Sequence, residues 1–347
     1  MQSLLGLTLE QIKSEFVCHG FTVLDAKRVF PWIHSKRVES FDVMSDLPCN
    51  VREALKSTFS LDRPFCKSMQ KSLDGTQKAL LELEDGNSIE TVLITSDKRT
   101  TVCLSSQVGC SIGCKFCRTG TQSSVRNLSS SEIMSQYFFW NNSLITNVVF
   151  MGMGEPLLNY ENVATTLELL LNKKIYNFSR NKITISTSGI IEDSIYDLAK
   201  FGVKLAISLH APDNEKRSSL MPINKKYDIE TLIKTAEKYR INSNTSHVTF
   251  EYLLLKDVND SDADAFKLAK LLKGICCKVN LISFNQWYGS NFAESSPTRT
   301  KQFLHILLSN KIFATIRKSN GSDILAACGQ LKTECELPFL SEKSQNI

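Results

Sequence analysis

The sequence predicts an α/β protein: an incomplete (β/α)6-type barrel carrying a small N-terminal helical accessory domain and a β-hairpin extension. Three observations lead there. From Thr101 onward, short β-rich apolar runs at 101–105, 146–151, 182–187, 203–209, 247–255, 279–284 and 312–317 alternate with helical stretches, the rhythm of right-handed crossovers and a parallel sheet. No GxGxxG opens the first strand-to-helix turn, so six or seven such units suit an unclosed barrel better than a doubly wound sheet. Before Thr101 the periods differ, helical first and then alternating.

Residues 1–64 form the helical unit, in which Leu4, Leu7, Leu9, Ile12 and Phe16, then Val29, Trp32 and Ile33, then Val51 and Leu55 recur at helical spacing. Asp46, ahead of Leu47-Pro48, is placed to cap a helix start. Lys27, Arg28, Lys36, Arg37, Arg52 and Lys56 fit either a phosphate-facing surface or an ordinary solvated face. Residues 65–99 read as a hairpin linker, with alternation in Ala79–Leu83 and Ile89–Ile94 around the turn Asp85-Gly86-Asn87. The barrel then spans 100–340, and 341–347 is a polar tail. In a barrel, functional side chains belong just past the C-terminal ends of the strands.

At 347 residues the chain is long enough for a sizeable core without disulfides. Its 41 Lys and Arg against 36 Asp and Glu give a net charge of +5, a mild lean toward a polyanionic partner. No apolar run approaches the ~18 residues that span a membrane, and the first residues lack the order of a signal peptide. The expectation is a cytoplasmic protein with reduced thiols, free of membrane and monomeric. Eleven cysteines then ask for a chemical reason.

The reason lies in Cys110-Ser-Ile-Gly-Cys114-Lys-Phe-Cys117, a C-x3-C-x2-C loop directly after the first barrel strand. Three thiolates within eight residues can wrap one face of an iron–sulfur cubane and leave one iron with an open coordination position. A zinc site with Cys103 or a histidine as fourth ligand is the alternative, though structural zinc sites favour paired C-x2-C spacings. Gly152-Met-Gly154-Glu155-Pro156 follows the strand Val148-Val149-Phe150; its glycines allow close backbone approach, and Glu155 offers an acceptor for an ammonium. It could equally be an ordinary strand-to-helix turn. Ser186, Ser208, His210 and Asn285 stand at or beyond later strand ends, where together they read as a cofactor pocket and singly as polar strand ends. Cys328 and Cys103, taken alone, read as core cysteines, and Glu90 as a surface carboxylate on a strand. Cys18, Cys49, Cys66, Cys276, Cys277 and Cys335 match no ligand spacing, nor do His19, His34, His247 and His305. Trp32, Trp140 and Trp287 read as packing residues.

The three-cysteine loop after the first strand of an α/β barrel resembles the radical S-adenosylmethionine superfamily. Cys103-Leu-Ser-Ser-Gln-Val-Gly-Cys110, Met151-Gly-Met-Gly-Glu-Pro-Leu-Leu-Asn159, Ser186-Thr-Ser-Gly189, Ser208-Leu-His-Ala-Pro212, Met221-Pro-Ile-Asn-Lys225 and Ala326-Ala-Cys-Gly-Gln-Leu331 together resemble its adenine-C2 RNA methyltransferase family (RlmN type), over residues 5–335. Arg118, Ser123, Ser124, Asn320, Ser322 and Leu325 depart from the family's pattern.

The resemblance implies a [4Fe–4S] cluster on Cys110, Cys114 and Cys117, and S-adenosylmethionine against Gly154, Glu155, Ser186, Ser208, Leu209, His210 and Asn285. It implies 23S ribosomal RNA (the peptidyl transferase centre) and the anticodon loop of some transfer RNAs as substrates. Carbon 2 of adenine lies between two ring nitrogens, is electron-poor, and cannot attack a sulfonium methyl. The implied route therefore uses Cys328 as an S-methylcysteine carrier, with two S-adenosylmethionine molecules per turnover. Cys103 is implied as the resolving thiol, forming a transient disulfide with Cys328, and Glu90 as the proton acceptor. Reductants for the cluster and for the disulfide are implied as well. Two other readings stay open: a related adenine-C8 methyltransferase, and a zinc-stabilised RNA-binding protein without catalysis.

Overall fold

A computed structural model describes residues 1–96, 98–124, 126–140 and 144–332; the tail at 341–347 and Cys335 lie outside the described residues. The first helices are α1 (Leu9–Cys18), α2 (Val23–His34) and α3 (Cys49–Thr58). Thr8 with Gln11 and Thr22 with Asp25 form capping boxes that satisfy the leading N–H groups of α1 and α2. The expected cap at Asp46 is not made. Pro48 precedes α3 without a side-chain cap, and Asp46 instead accepts a 2.6 Å hydrogen bond from Trp32 Nε1. Four of the six basic side chains of this unit serve internal contacts. Arg37 donates to Tyr137 Oη at 3.3 Å, Lys56 pairs with Glu53 at 3.0 Å, Arg52 donates to the Asp42 carbonyl, and Lys36 Nζ lies 3.1 Å from the centre of the Trp32 ring.

The chain then builds one sheet of ten strands: β1 (Phe65–Lys71), β2 (Gln77–Glu82), β3 (Ser88–Ser96), β4 (Arg99–Cys103), β5 (Asn147–Phe150), β6 (Ile183–Thr187), β7 (Lys204–Ser208), β8 (Val248–Leu254), β9 (Cys277–Ser283) and β10 (Ala314–Arg317). β1 to β4 pair antiparallel and β4 to β10 parallel, and every strand lies beside its neighbour in the chain. The expected two-strand hairpin is thus a three-strand meander continuous with the barrel sheet. β1 escaped notice because its Phe65, Lys67, Met69 and Lys71 face solvent at the sheet edge, which leaves no apolar alternation to read.

Between the parallel strands run α4 (Ser130–Phe139), α5 (Tyr160–Leu171), α6 (Asp193–Ala199), α7 (Asn214–Leu220), α8 (Ile229–Ser243), α9 (Asp262–Leu271) and α10 (Pro297–Ser309). A strand order without reversal, joined by right-handed crossovers, puts these helices on one face. Alternation along β5 and β6 buries Val148, Phe150, Ile183 and Ile185, while Ser186 is half-buried. The N-terminal unit shares this core: Ile12, Phe16, Val29 and Leu55 belong to the same continuous cluster as Val148 and Ile185. Gly6 meets the start of α4 so closely that a Cβ there would lie 2.1 Å from the Ser130 carbonyl carbon. Among the described residues no helix is long and apolar enough to cross a membrane.

Candidate active site

The loop leaving β4 carries three half-buried cysteines, Cys110, Cys114 and Cys117. It is pinned from two sides. Lys115 N–H donates to the carbonyl of Leu220, at the end of α7, at 3.0 Å, and Trp287 Nε1 donates to the carbonyl of Phe116 at 3.1 Å. The three thiols line one cavity at the C-terminal ends of the strands. Burial pushes the Cys110 thiol up to about 12 and raises Cys114 and Cys117 too, and their mutual charges add to the effect. Three such thiols become anions together only beside a strong positive centre. Among the described residues no three His, Cys, Asp or Glu side chains converge on a single metal ion. Three thiols in the wall of one cavity fit a cubane that binds each thiolate to a separate iron.

Opposite the thiols lies the Gly152–Pro156 turn. Met153 N–H donates to Ser105 Oγ and Glu155 N–H to Gln107 Oε1, each at 2.8 Å, which ties the turn to the loop after β4. Gly154 has φ +94°, and a Cβ there would sit 2.6 Å from Gln107 Cβ, so only glycine fits. The buried Glu155 carboxylate accepts from Ser188 N–H and Ser188 Oγ at 2.6 Å each, and from Leu157 N–H at 3.1 Å. Burial still holds its carboxyl above the usual range.

Gly154, Glu155, Ser186, Ser208 and His210 all line the cavity of the thiols. His210 occupies the left-handed region at φ 55°, a conformation that costs energy for a non-glycine residue. Its Nδ1 accepts from Leu253 N–H at 3.0 Å. Burial lowers the imidazole to about 3, so it stays neutral beside a cationic ligand. Leu209 is not in the cavity wall; its side chain is buried in the core and its carbonyl accepts from Arg217 Nε at 3.2 Å.

Cys328 connects this cavity to a second, smaller one. It lines both, and the second is also lined by Cys103 and Asn285. Asn285 Nδ2 reaches the Cys328 carbonyl at 3.4 Å. Cys103 ends β4 and is buried, and burial followed by the neighbouring Cys328 pushes its thiol up to about 12. The Cys328 loop is clamped along its length. Arg118 N–H donates to the Gly329 carbonyl at 2.7 Å, Thr119 Oγ1 to the Leu331 carbonyl at 2.7 Å, and Gln330 Nε2 to the Gln286 carbonyl at 2.8 Å. On its other flank, Asp323 accepts from Ser72 Oγ at 2.6 Å and Leu73 N–H at 3.2 Å, Asp74 from Gly321 N–H at 3.0 Å, and Lys78 donates to the Leu325 carbonyl at 3.2 Å.

Glu90 is not a surface carboxylate. It is 3% exposed, pairs with Lys78 at 2.8 Å, and accepts from Lys332 N–H at 2.7 Å. Its strand turns this face inward beneath the Cys328 loop, and burial raises its carboxyl despite Lys78. It lines neither cavity, but Lys332, whose N–H it accepts, follows Leu331, which lines both.

Sequence reasoning missed two arginines. Arg317, at the end of β10, lines both cavities together with Cys328, donates to Met151 Sδ at 3.6 Å and lies 3.9 Å from Glu251. The strand-end rule that selected Ser186 and Ser208 would have found it. Glu251, on β8, is 5% exposed and lines the larger cavity, and its Oε2 has no hydrogen-bond partner among the described residues, an acceptor suited to a ligand's donor. Arg217 on α7 is fully buried, and nothing in the sequence distinguishes it from a surface arginine.

An unreversed parallel sheet, three cysteines in the loop after its first parallel strand, and a Gly-Glu-Ser pocket at the following strand ends define a radical S-adenosylmethionine enzyme. Residues 104–269 match the Radical SAM superfamily, and residues 2–61 match the ribosomal RNA large subunit methyltransferase N-terminal domain. The chain is 42% identical over 342 residues to the dual-specificity RNA methyltransferase RlmN of Francisella tularensis subsp. mediasiatica, covering 95% of this chain and 92% of that one. The relative of the same name in Francisella tularensis subsp. novicida is also 42% identical over 342 residues. A crystal structure of a radical SAM methyltransferase from Sphaerobacter thermophilus aligns with TM-score 0.90 and 40% identity, over 96% of this chain and 100% of that one. The chain belongs to the RlmN family of radical SAM RNA methyltransferases. It is thereby an enzyme that methylates RNA, and its superfamily implies a [4Fe–4S] cluster and S-adenosylmethionine.

Proposed function

We propose that this enzyme methylates carbon 2 of an adenosine in the peptidyl transferase centre of 23S ribosomal RNA and in the anticodon loop of some transfer RNAs, through an S-methyl group on Cys328. The observation that carries the reading is the position of Cys328, in the wall of the thiol-lined cavity and of the cavity holding Cys103. In this reading Cys110, Cys114 and Cys117 hold the cluster, and Glu155, Ser186, Ser208 and the neutral His210 surround S-adenosylmethionine. Bound there, these groups supply a methyl group in one round and a hydrogen-abstracting carbon radical in the next, two S-adenosylmethionine molecules per turnover.

The protein's own part follows from its side chains. Cys328 accepts the methyl as a nucleophile, with the Arg317 guanidinium supplying a positive charge beside the sulfur. Once the base is joined to Cys328 through a methylene bridge, the adduct carries one unpaired electron; it passes that electron to a one-electron acceptor as Glu90 takes the ring proton, leaving a closed-shell thioether, and burial makes Glu90 a stronger base than a surface carboxylate. Cys103 then attacks the Cys328 sulfur. A disulfide forms, the carbon–sulfur bond breaks, and its electron pair takes up a proton to complete the methyl group. An external reductant restores the two thiols. Residues 1–64 act as the RNA-binding accessory domain.

The test is Cys103→Ala, which leaves every earlier stage intact. Protein should copurify with RNA covalently linked through Cys328, and Cys103→Ala, Cys328→Ala protein should carry none. Mass spectrometry of the digested adduct locates the joined carbon. Attachment at C2 supports the reading, attachment at C8 favours the related chemistry, and RNA-free Cys103→Ala protein with normal turnover removes the resolving role.

A further inference from the structure

Arg217 is a buried charge with no ionic partner among the described residues. It sits on α7, 0% exposed, and every donor nitrogen of its guanidinium meets a neutral oxygen. Nε donates to the Leu209 carbonyl at 3.2 Å, Nη1 to Asn224 Oδ1 at 2.8 Å, and Nη2 to the carbonyls of Ser188 at 2.7 Å and Ser208 at 2.9 Å. Neutral acceptors satisfy the hydrogen bonds but leave the charge uncompensated, and a buried guanidinium remains protonated. Buried charges persist where something of opposite sign offsets their desolvation.

The available anion lies at the end of the same helix. Leu220, three residues on, accepts from Lys115 N–H inside the Cys114–Cys117 turn, so α7 abuts the cysteine loop. Arg217 is absent from the cavity wall, and its donors are already engaged, so it is not placed to bind the cofactor's carboxylate directly.

We propose that Arg217 is a positioning residue whose fixed positive charge, held on the helix that abuts the cysteine loop, raises the reduction potential of the cluster that the three thiolates carry. Adding an electron to a cluster adds one negative charge, and a cation in the low-dielectric interior favours the reduced state. The same guanidinium ties Ser188, Ser208 and Leu209 together, so the ends of β6 and β7 are fixed relative to that charge.

The inference rests on the cluster assignment above, and its test separates the two. Iron and labile sulfide are measured on anaerobically purified full-length protein, and the midpoint potential by titration followed by electron paramagnetic resonance. Arg217→Gln removes the charge. Asn224→Asp keeps the bond to Nη1 while adding a carboxylate that neutralises Arg217. Both should lower the ratio of reduced to oxidised cluster at the wild-type midpoint at least ~10-fold, about 59 mV for a one-electron couple. Arg217→Lys keeps the charge without the planar fork and should stay within about threefold of wild type. An unchanged midpoint in Asn224→Asp protein with full sulfide overturns the proposal. So does an Arg217→Lys shift as large as that of Arg217→Gln, and this comparison stands if Arg217→Gln fails to fold, with Asn224→Asp as its reference. Wild-type protein without labile sulfide overturns the cluster assignment itself.

Discussion

Arg317 and Glu251 share the cavity wall with Cys328 as an ion pair separated by 3.9 Å, and the arginine also donates to Met151 Sδ at 3.6 Å. Replacing Arg317 with Met removes the charge and keeps most of the bulk. The buried Glu251 carboxylate then loses its cation, and stability is expected to fall by about 1–3 kcal/mol; urea unfolding reads it, and an unchanged midpoint would contradict the pairing. The cysteine loop was legible in the sequence because its three thiols lie within eight residues, where spacing alone carries the geometry. Cys103 and Cys328 lie 225 positions apart and were legible only through the motifs around them. Arg317, Arg217 and Lys78 were not legible, since a basic side chain reads as solvated unless the fold that buries it is known.

At the level of elements, the meander of β1, β2 and β3 serves the Cys328 loop more than the sheet. Its first turn holds Asp323 and Gly321, and the inward face of β2 and β3 supplies Lys78 and Glu90. Asp323→Ala deletes two hydrogen bonds to that turn, from Ser72 and Leu73, and should loosen the loop by about 1–3 kcal/mol while leaving the barrel intact. Faster hydrogen exchange over 318–332, with unchanged protection in β5 to β8, is the expected outcome. The seven parallel strands were read within two residues of their observed ends because buried β-rich runs announce themselves. The solvated edge strand β1 and the uncapped start of α3 carry no such signal.

Across the whole molecule, His34 couples the N-terminal unit to the barrel. It is 1% exposed, with Nδ1 2.9 Å from Tyr176 Oη and Nε2 3.2 Å from the Leu7 carbonyl. Burial lowers its imidazole from 6.5 to about 4. The unfolded chain therefore binds a proton that the folded chain refuses between those values. Stability is complete above about pH 6.5 and falls as the pH drops toward 4, by about 3 kcal/mol from this group. Urea melts from pH 7 to pH 4 should show His34→Gln losing that part of the slope, while His210, shifted the same way, contributes equally to both proteins.

Because every strand of the sheet pairs with its neighbour in the chain, the scaffold can assemble in the order in which a ribosome delivers it. The Cys328 loop cannot. Its anchors on the meander join residues 242 to 251 positions apart, reaching back from Asp323 to Ser72 and from Lys332 to Glu90. A nascent chain thus holds the three cysteines of the cavity long before it holds Cys328, and that thiol is seated only after the whole sheet has been delivered.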